Sequence, residues 1–377
     1  LENPHEIPSS VSHDLHVIIA AMKKSVINVM ESLRTHIVEL VNLPETEAPL
    51  ISAYLDLLEN QDYLRSKLSH WAQTARSTQS PDQRAAFDAA RMDVEEAIRG
   101  EWPDEVRSIA VFSRRGTNPF LLVVPFSVSL DLFFNAASVP AVFPLVQLKD
   151  RFHRFVVVII TEEISRIIEV TLGAVSEEFL TRRPELSERL GREWGREHFH
   201  QKKRENDRRY ISDQVTIITN LMAKRGLNHL ILAGNSRNVA PLREALPKHI
   251  GSRLVGEIMK SPIKGDTSLV LEEAIDKFIE AESAESRDTV TRLNEQIRRG
   301  ALAVVGVEQS RDAIIGGYAA QLVISEELHE SDREDLTRLA AARNLDIEVC
   351  EGDDLLALHG GVGCLLRYRP TYLPDET

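Results

Sequence analysis

Cysteine is scarce: the 377 residues hold two, Cys350 and Cys364. Two thiols cannot complete a tetrahedral zinc site alone, and a chain this long with so few is no disulfide scaffold. They fit a reducing compartment, so a cytoplasmic location is expected. Long apolar runs are also lacking. The longest, at 155–160, is strand-sized and far below the ~18 residues a membrane span needs, so no membrane partner is expected. No basic flank precedes the short apolar stretch at 17–21, so no secretory signal is read; the chain opens on Leu1, which leaves its natural start open. Common catalytic signatures are missing too: there is no P-loop, no Gly-x-Ser-x-Gly, no His-Glu-x-x-His and no Cys-x-x-Cys. Neither a metal nor a cofactor is expected.

What is present is ordinary for a globular protein, with 43% apolar and 27% charged residues and a length that suggests two or three domains. The net charge of −13 argues against general nucleic-acid affinity, which comes largely from Lys and Arg. The charge is uneven, however. Between Arg182 and Arg209 stand ten Lys and Arg against six Asp and Glu, a local +4, so the remainder carries −17.

Periodicity predicts the elements. Leu15, Ile19, Met22, Val26, Val29, Leu33, Ile37 and Leu40 form one stripe of a helix over 12–42, read as buried, with a dimerising or partner-binding helix as the alternative. A strand over 50–57 precedes helical sequence from 63 to 99 that breaks near 77–81. Strands follow over 108–113, 120–125 and 128–133, with Pro140 and Pro144 marking the exit. A second unit opens on the β-branched run 155–160, with a hairpin partner over 165–172 and a polar loop over 176–195. A helix over 196–225 should stop at Gly226, solvated and basic in its first half and packed in its second. A strand over 230–234 and a helix over 238–245 come next. A helix over 269–299 either bridges two domains or breaks in its polar middle. Alternating short strands and helices from 303 to 369 predict a helix–sheet–helix sandwich.

Several residue groups bear on chemistry. Gly234-Asn235-Ser236-Arg237, between strand and helix, is read as an ordinary turn, with a phosphate site as the alternative. His198 and His200, two apart on a helix, point about 200° away from each other, which disfavours a shared metal. Glu162 and Glu163 read as a solvated turn rather than an acid–base pair. Gly360-Gly361-Val362-Gly363 leads into a strand, the wrong geometry for dinucleotide binding. The strongest feature is cationic: Arg189, Arg192, Arg196, Lys202, Lys203, Arg204, Arg208 and Arg209, with Trp194 and Phe199 among them and His198 alongside. Phosphate contacts with interleaved aromatics suit an RNA surface; Glu193, Glu197 and Glu205 leave a solvated, self-paired helix as the alternative.

Motifs near the C-terminus then point to a family. Val305-Gly306-Val307-Glu308-Gln309-Ser310, with Ala313, Gly316-Gly317, Ala319 and the run Gln321 to Leu328, resembles the third domain of archaeo-eukaryotic class-one release factors and of Pelota. Gly360-Gly361-Val362-Gly363-Cys364-Leu365-Leu366-Arg367-Tyr368 is similar to that domain's closing motif. Phe199 and Tyr210, with Arg204-Glu205 between, match the family's middle-domain helix. The first 150 residues resemble the bacterial branch of this superfamily, some of whose members look like ribosome-hibernation factors, rather than the codon-reading domain.

The resemblance implies an α/β protein of three domains: an N-terminal helix plus α/β domain over 1–150, a ribonuclease-H-like middle domain over 151–267, and over 268–377 a sandwich like the proteins that bind kink-turn RNA. It implies the ribosome and ribosomal RNA as partners, at the aminoacyl-tRNA site, and an EF-Tu-like translational GTPase on the C-terminal domain. That domain, acidic by thirteen residues to six over 300–369, suits a protein contact. One departure matters. Arg192-Glu193-Trp194 stands where the family carries Gly-Gly-Gln, and that tripeptide occurs nowhere in the chain. Glycines let the loop tip approach the peptidyl-tRNA ester and the glutamine positions water, so no catalytic residue is expected by this route. The expected role is ribosome binding for hibernation, rescue or translation control. The alternatives are a peptidyl-tRNA hydrolase or RNA endonuclease built on Arg192, Glu193, His198 and His200, and a scaffold that never meets the ribosome.

Overall fold

The computed structural model describes residues 29–104, 106–152, 154–171, 174–182, 193–260 and 267–368. The chain is α/β, with three sheets among the described residues. Its described residues form two compact units: those up to Asp150 together with those from Ser286 on, and those of Arg151–Glu285.

The first unit begins with α1 (Val29–Val41), where Leu33, Ile37 and Leu40 are buried at the predicted spacing. The part of that helix expected over 12–28 lies outside the described residues. β1 (Leu50–Asp56) is buried along its whole length. α2 (Gln61–Thr78) starts where the Asn60 side chain accepts the Asp62 and Tyr63 amides, and α3 (Pro81–Arg99) has proline at its first position, where no amide is missed. β2 (Ser108–Arg114), β3 (Phe120–Phe126) and β4 (Phe133–Ala137) complete an antiparallel sheet of order β3-β2-β1-β4. Phe87, Ala90 and Val94 of α3 and Leu68 of α2 pack on Ile51, Ala53, Ile109 and Val111.

The strand expected over 128–133 is corrected to 133–137. β3 and β4 lie on opposite edges, so the chain must cross the end of the sheet between them. It is held there by Ser108 Oγ, which donates to the Val128 carbonyl, and by Ser129 Oγ, which donates to Asp56. A helix the sequence reading missed, α4 (Phe143–Arg151), carries Pro144 in its first turn, where proline is tolerated.

The second unit is built on β5 (Phe155–Ile160), all six residues buried. β6 (Ile164–Thr171) and β7 (Ala174–Arg182) follow it antiparallel. The polar loop expected over 176–195 is therefore corrected in its first part: 174–182 pair as an edge strand, whose polar composition hides it from a hydrophobicity pattern. Then come α5 (Glu193–Arg225), β8 (His229–Gly234), α6 (Ser236–Ala245), the short α7 (Lys248–Gly251), β9 (Leu254–Ile258) and α8 (Ser268–Arg298). β8 pairs with β5, and β9 with β8, both parallel. The order β7-β6-β5-β8-β9 is third, second, first, fourth, fifth within the unit, the ribonuclease-H-type arrangement. Alternate residues of β5 serve opposite faces. Val156 and Val158 meet Ile218 and Met222 of α5, whereas Phe155 and Val157 meet Ala274 and Phe278 of α8. α8 does not break at its polar middle, and its residues from Ser286 on belong to the first unit.

Those residues carry β10 (Ala303–Val305), α9 (Val307–Ile315), β11 (Ala319–Ser325), α10 (Glu330–Ala342), β12 (Asp346–Cys350), α11 (Asp354–Ala357) and β13 (Val362–Leu366). The sheet order is β10-β13-β11-β12, with only β11 and β12 parallel. In this unit the C-terminal elements bond directly to N-terminal ones. The Val349 amide donates to Asp150 Oδ2 at 2.7 Å, and Glu334 accepts the Val142 and Phe143 amides at 2.7 and 3.0 Å. Among the described residues no helix is long and apolar enough to cross a membrane.

Candidate nucleic-acid interface

The 33 residues of α5 span about 50 Å, whereas the six of β5 beneath it cover about 20 Å. The helix cannot be packed over its full length, and its sequence shows where packing begins. Tyr210, Ile211, Gln214, Ile218, Leu221 and Met222 are buried at steps of one, three and four. Immediately before them Lys203, Arg204, Arg208 and Arg209 are exposed. The switch from cationic to apolar at Tyr210 is thus the switch from free to sheet-backed helix.

Glu205 and Asp207 stand among these cations. Even so, none of Lys203, Arg204, Arg208 and Arg209 forms an ion pair with another described residue. The opposite end of the same helix behaves differently: Arg225 pairs with Glu169 at 2.5 Å, and Arg154 approaches the same carboxylate at 3.8 Å. Arg204 and Arg208, four apart, share one flank of the helix, with Lys203 and Arg209 turned away from it. The arrangement offers positive charge over several directions of one rod, which suits phosphates in a folded RNA.

The other expected site residues are placed as follows. Trp194, Arg196, His198 and Lys202 lie in the helical backbone of α5, and their side chains fall outside the described set. Arg189 and Arg192 lie outside the described residues altogether. His198 and His200 both lie in the helical backbone of α5. Glu162 and Glu163 are exposed in the β5–β6 turn, which Thr161 closes by accepting the Ile164 amide on Oγ1 at 3.1 Å. At 234–237 the turn is an N-cap: Asn235 Oδ1 accepts the Asn238 amide at 3.1 Å.

One cluster had no signal in the sequence. His229 Nδ1 lies 3.4 Å from Glu282 and Nε2 lies 3.6 Å from Glu285, although more than fifty residues separate the histidine from both. The carboxylates face different nitrogens of one ring. One ligand atom from each of the three lies within 4.8 Å of the others, a spacing that could hold a metal ion, and the contacts tie α8 to the start of β8.

Residues 140–278 match the model of a family described as bacterial archaeo-eukaryotic release factor family 10, a region that includes the five strands of the second unit with α5 and α6. Among solved structures, three that the chain is similar to are the following. The archaeal translation termination factor aRF1 is 15% identical, over 90% of this chain and 98% of that one, with a TM-score of 0.27. A ribosome-bound archaeal Pelota is 14% identical over 90% and 94%, with a TM-score of 0.43. Dom34 of S. cerevisiae is 11% identical over 71% and 82%, with a TM-score of 0.43. No curated protein sequence matches the chain.

Proposed function

We propose, from the match of residues 140–278 to the bacterial archaeo-eukaryotic release factor family model, that the chain is a ribosome-associated translation factor that docks on ribosomal RNA through the N-terminal half of α5 and does not hydrolyse peptidyl-tRNA. The observation that carries this is the run of exposed cations at Lys203, Arg204, Arg208 and Arg209, none of them neutralised by a described carboxylate. Arg189, Arg192, Arg196 and Lys202 extend the same basic sequence toward its start. The missing Gly-Gly-Gln separates docking from chemistry: the cations remain, while the tripeptide that would admit the ester and orient water is absent from the chain. The acidic C-terminal sandwich faces a protein in this proposal, an EF-Tu-like translational GTPase, and the aminoacyl-tRNA site is the place of binding. Hibernation or rescue is the outcome such occupancy would serve.

Co-sedimentation with 70S particles tests it. Binding should weaken steeply with salt. Reversing Lys203, Arg204, Arg208 and Arg209 to Glu should abolish pelleting at moderate salt, and single reversals should each flatten the log–log salt slope by about 1. Pelleting that ignores these changes would refute α5 as the docking surface. Peptide release from a stalled peptidyl-tRNA by the purified protein would refute the non-hydrolytic part.

A further inference from the structure

β5 and β8 are parallel neighbours, and Ile160 pairs with Gly234 where both strands end. β5 leaves through a hairpin to β6, and β8 leaves into α6. In open sheets such a divergence beyond the carboxyl ends of adjacent parallel strands is where ligands bind. Here it is occupied by a groove of about 450 Å³ between α5 and α6, floored by Ile160. That size suits a small organic ligand.

The lining is divided chemically. On one side are two arginines from different helices, Arg208 of α5 and Arg237 at the second position of α6. Both are exposed, and neither is ion-paired with a described residue. Asn235 takes the Asn238 and Val239 amides, but those of Ser236 and Arg237 have no acceptor within their own helix and lie at its positive dipole end. Asn238 lines the same groove and is 8% exposed, yet its side-chain Nδ2 has no hydrogen-bond partner. Buried donors are rarely left so, and an incoming oxygen would satisfy this one. Asp207 and Ser212 supply polar groups of the kind that bond ribose hydroxyls, and Ile211, Val215 and Pro241 supply an apolar wall for a base.

We propose that this groove binds a phosphorylated nucleoside, either a free mononucleotide or the terminal nucleotide of an RNA strand, with the phosphate on Arg208, Arg237, Asn238 and the start of α6. The groove shares Arg208 with the proposed docking surface, whereas Arg237 lies outside that basic segment, so substitution of Arg237 tests the groove separately from ribosome docking.

Calorimetric titration of the full chain tests this with the four ribonucleoside monophosphates, the matching nucleosides, and RNA decamers with and without a terminal phosphate. At least one monophosphate should bind saturably, and at least tenfold more tightly than its nucleoside. Arg237→Glu, on an exposed residue, should weaken it tenfold or more without altering the unfolding transition, and Arg237→Lys should retain part of the affinity. A phosphorylated decamer that binds more tightly than any monophosphate and its unphosphorylated counterpart identifies the strand end as the ligand; a monophosphate that equals or exceeds it identifies the free nucleotide. The proposal is overturned if no probe saturates, if nucleosides bind as well as monophosphates, or if Arg237→Glu leaves the affinity unchanged.

Discussion

Glu334 makes the stability of the first unit depend on pH in an unusual direction. The carboxylate is half-buried on α10, and its oxygens accept the Val142 and Phe143 amides at 2.7 and 3.0 Å, where α4 begins. Arg333 lies over the Phe143 ring at 4.3 Å, beside the same contact. Burial pushes the carboxyl from 4.5 to about 7, against the opposing pull of those two amides and of Arg338 and Arg333. The folded chain therefore holds a proton that the unfolded chain releases between pH 4.5 and 7. Its contribution to stability is present at low pH and is lost as pH rises through this window. At 1.36 kcal/mol per pH unit, and allowing for water that reaches a half-buried side chain, the loss is about 2–3 kcal/mol. Glu334→Gln cannot ionise and keeps one acceptor for the two amides. Urea midpoints should be measured at pH 5, 6, 7 and 8 in a Trp194→Phe background, so that Trp71 and Trp102 report the first unit alone. The stability of the Gln variant relative to the parent should rise by about 2–3 kcal/mol from pH 5 to 8. A difference that stays constant with pH, or one that runs the other way, would refute the argument.

Two further outcomes are expected. Gly234→Ala should destabilise the second unit by roughly 3 kcal/mol or more, because φ is +142° and a Cβ would stand 2.2 Å from the Ile160 carbonyl oxygen; Gly226→Ala, at φ +65° with nothing within 4 Å, should cost only about 1 kcal/mol, and equal losses in chemical unfolding would contradict this. Cys350 and Cys364 should resist thiol reagents at pH 8 in the native protein and react on unfolding, since both are buried, burial raises the Cys350 thiol, and burial pushes the Cys364 thiol up to about 12; rapid native labelling would disprove it.

Where a local rule decides the structure, the sequence alone sufficed. The β-branched run 155–160 reads as a strand and is one, and the helix expected to stop at Gly226, a residue at positive φ, ends at Arg225. The apolar stripe that begins at Tyr210 already separated the packed part of α5 from its cationic part. The absence of Gly-Gly-Gln was likewise plain. Pairing between distant segments could not be read in this way. β7 is polar and becomes a strand only because β6 offers it an edge, and β4 is displaced because its chain must cross the sheet to reach β1. The contact of Glu334 with residues 142–143 joins positions nearly two hundred apart. The groove has the same origin. Arg208 and Arg237 stand out in sequence only as parts of separate segments and Asn238 not at all; they share one cavity because parallel pairing brings the ends of β5 and β8 together and sets two helices above them. Periodicity records which face of an element avoids water; it carries no record of which other element will cover that face, and that choice made the site.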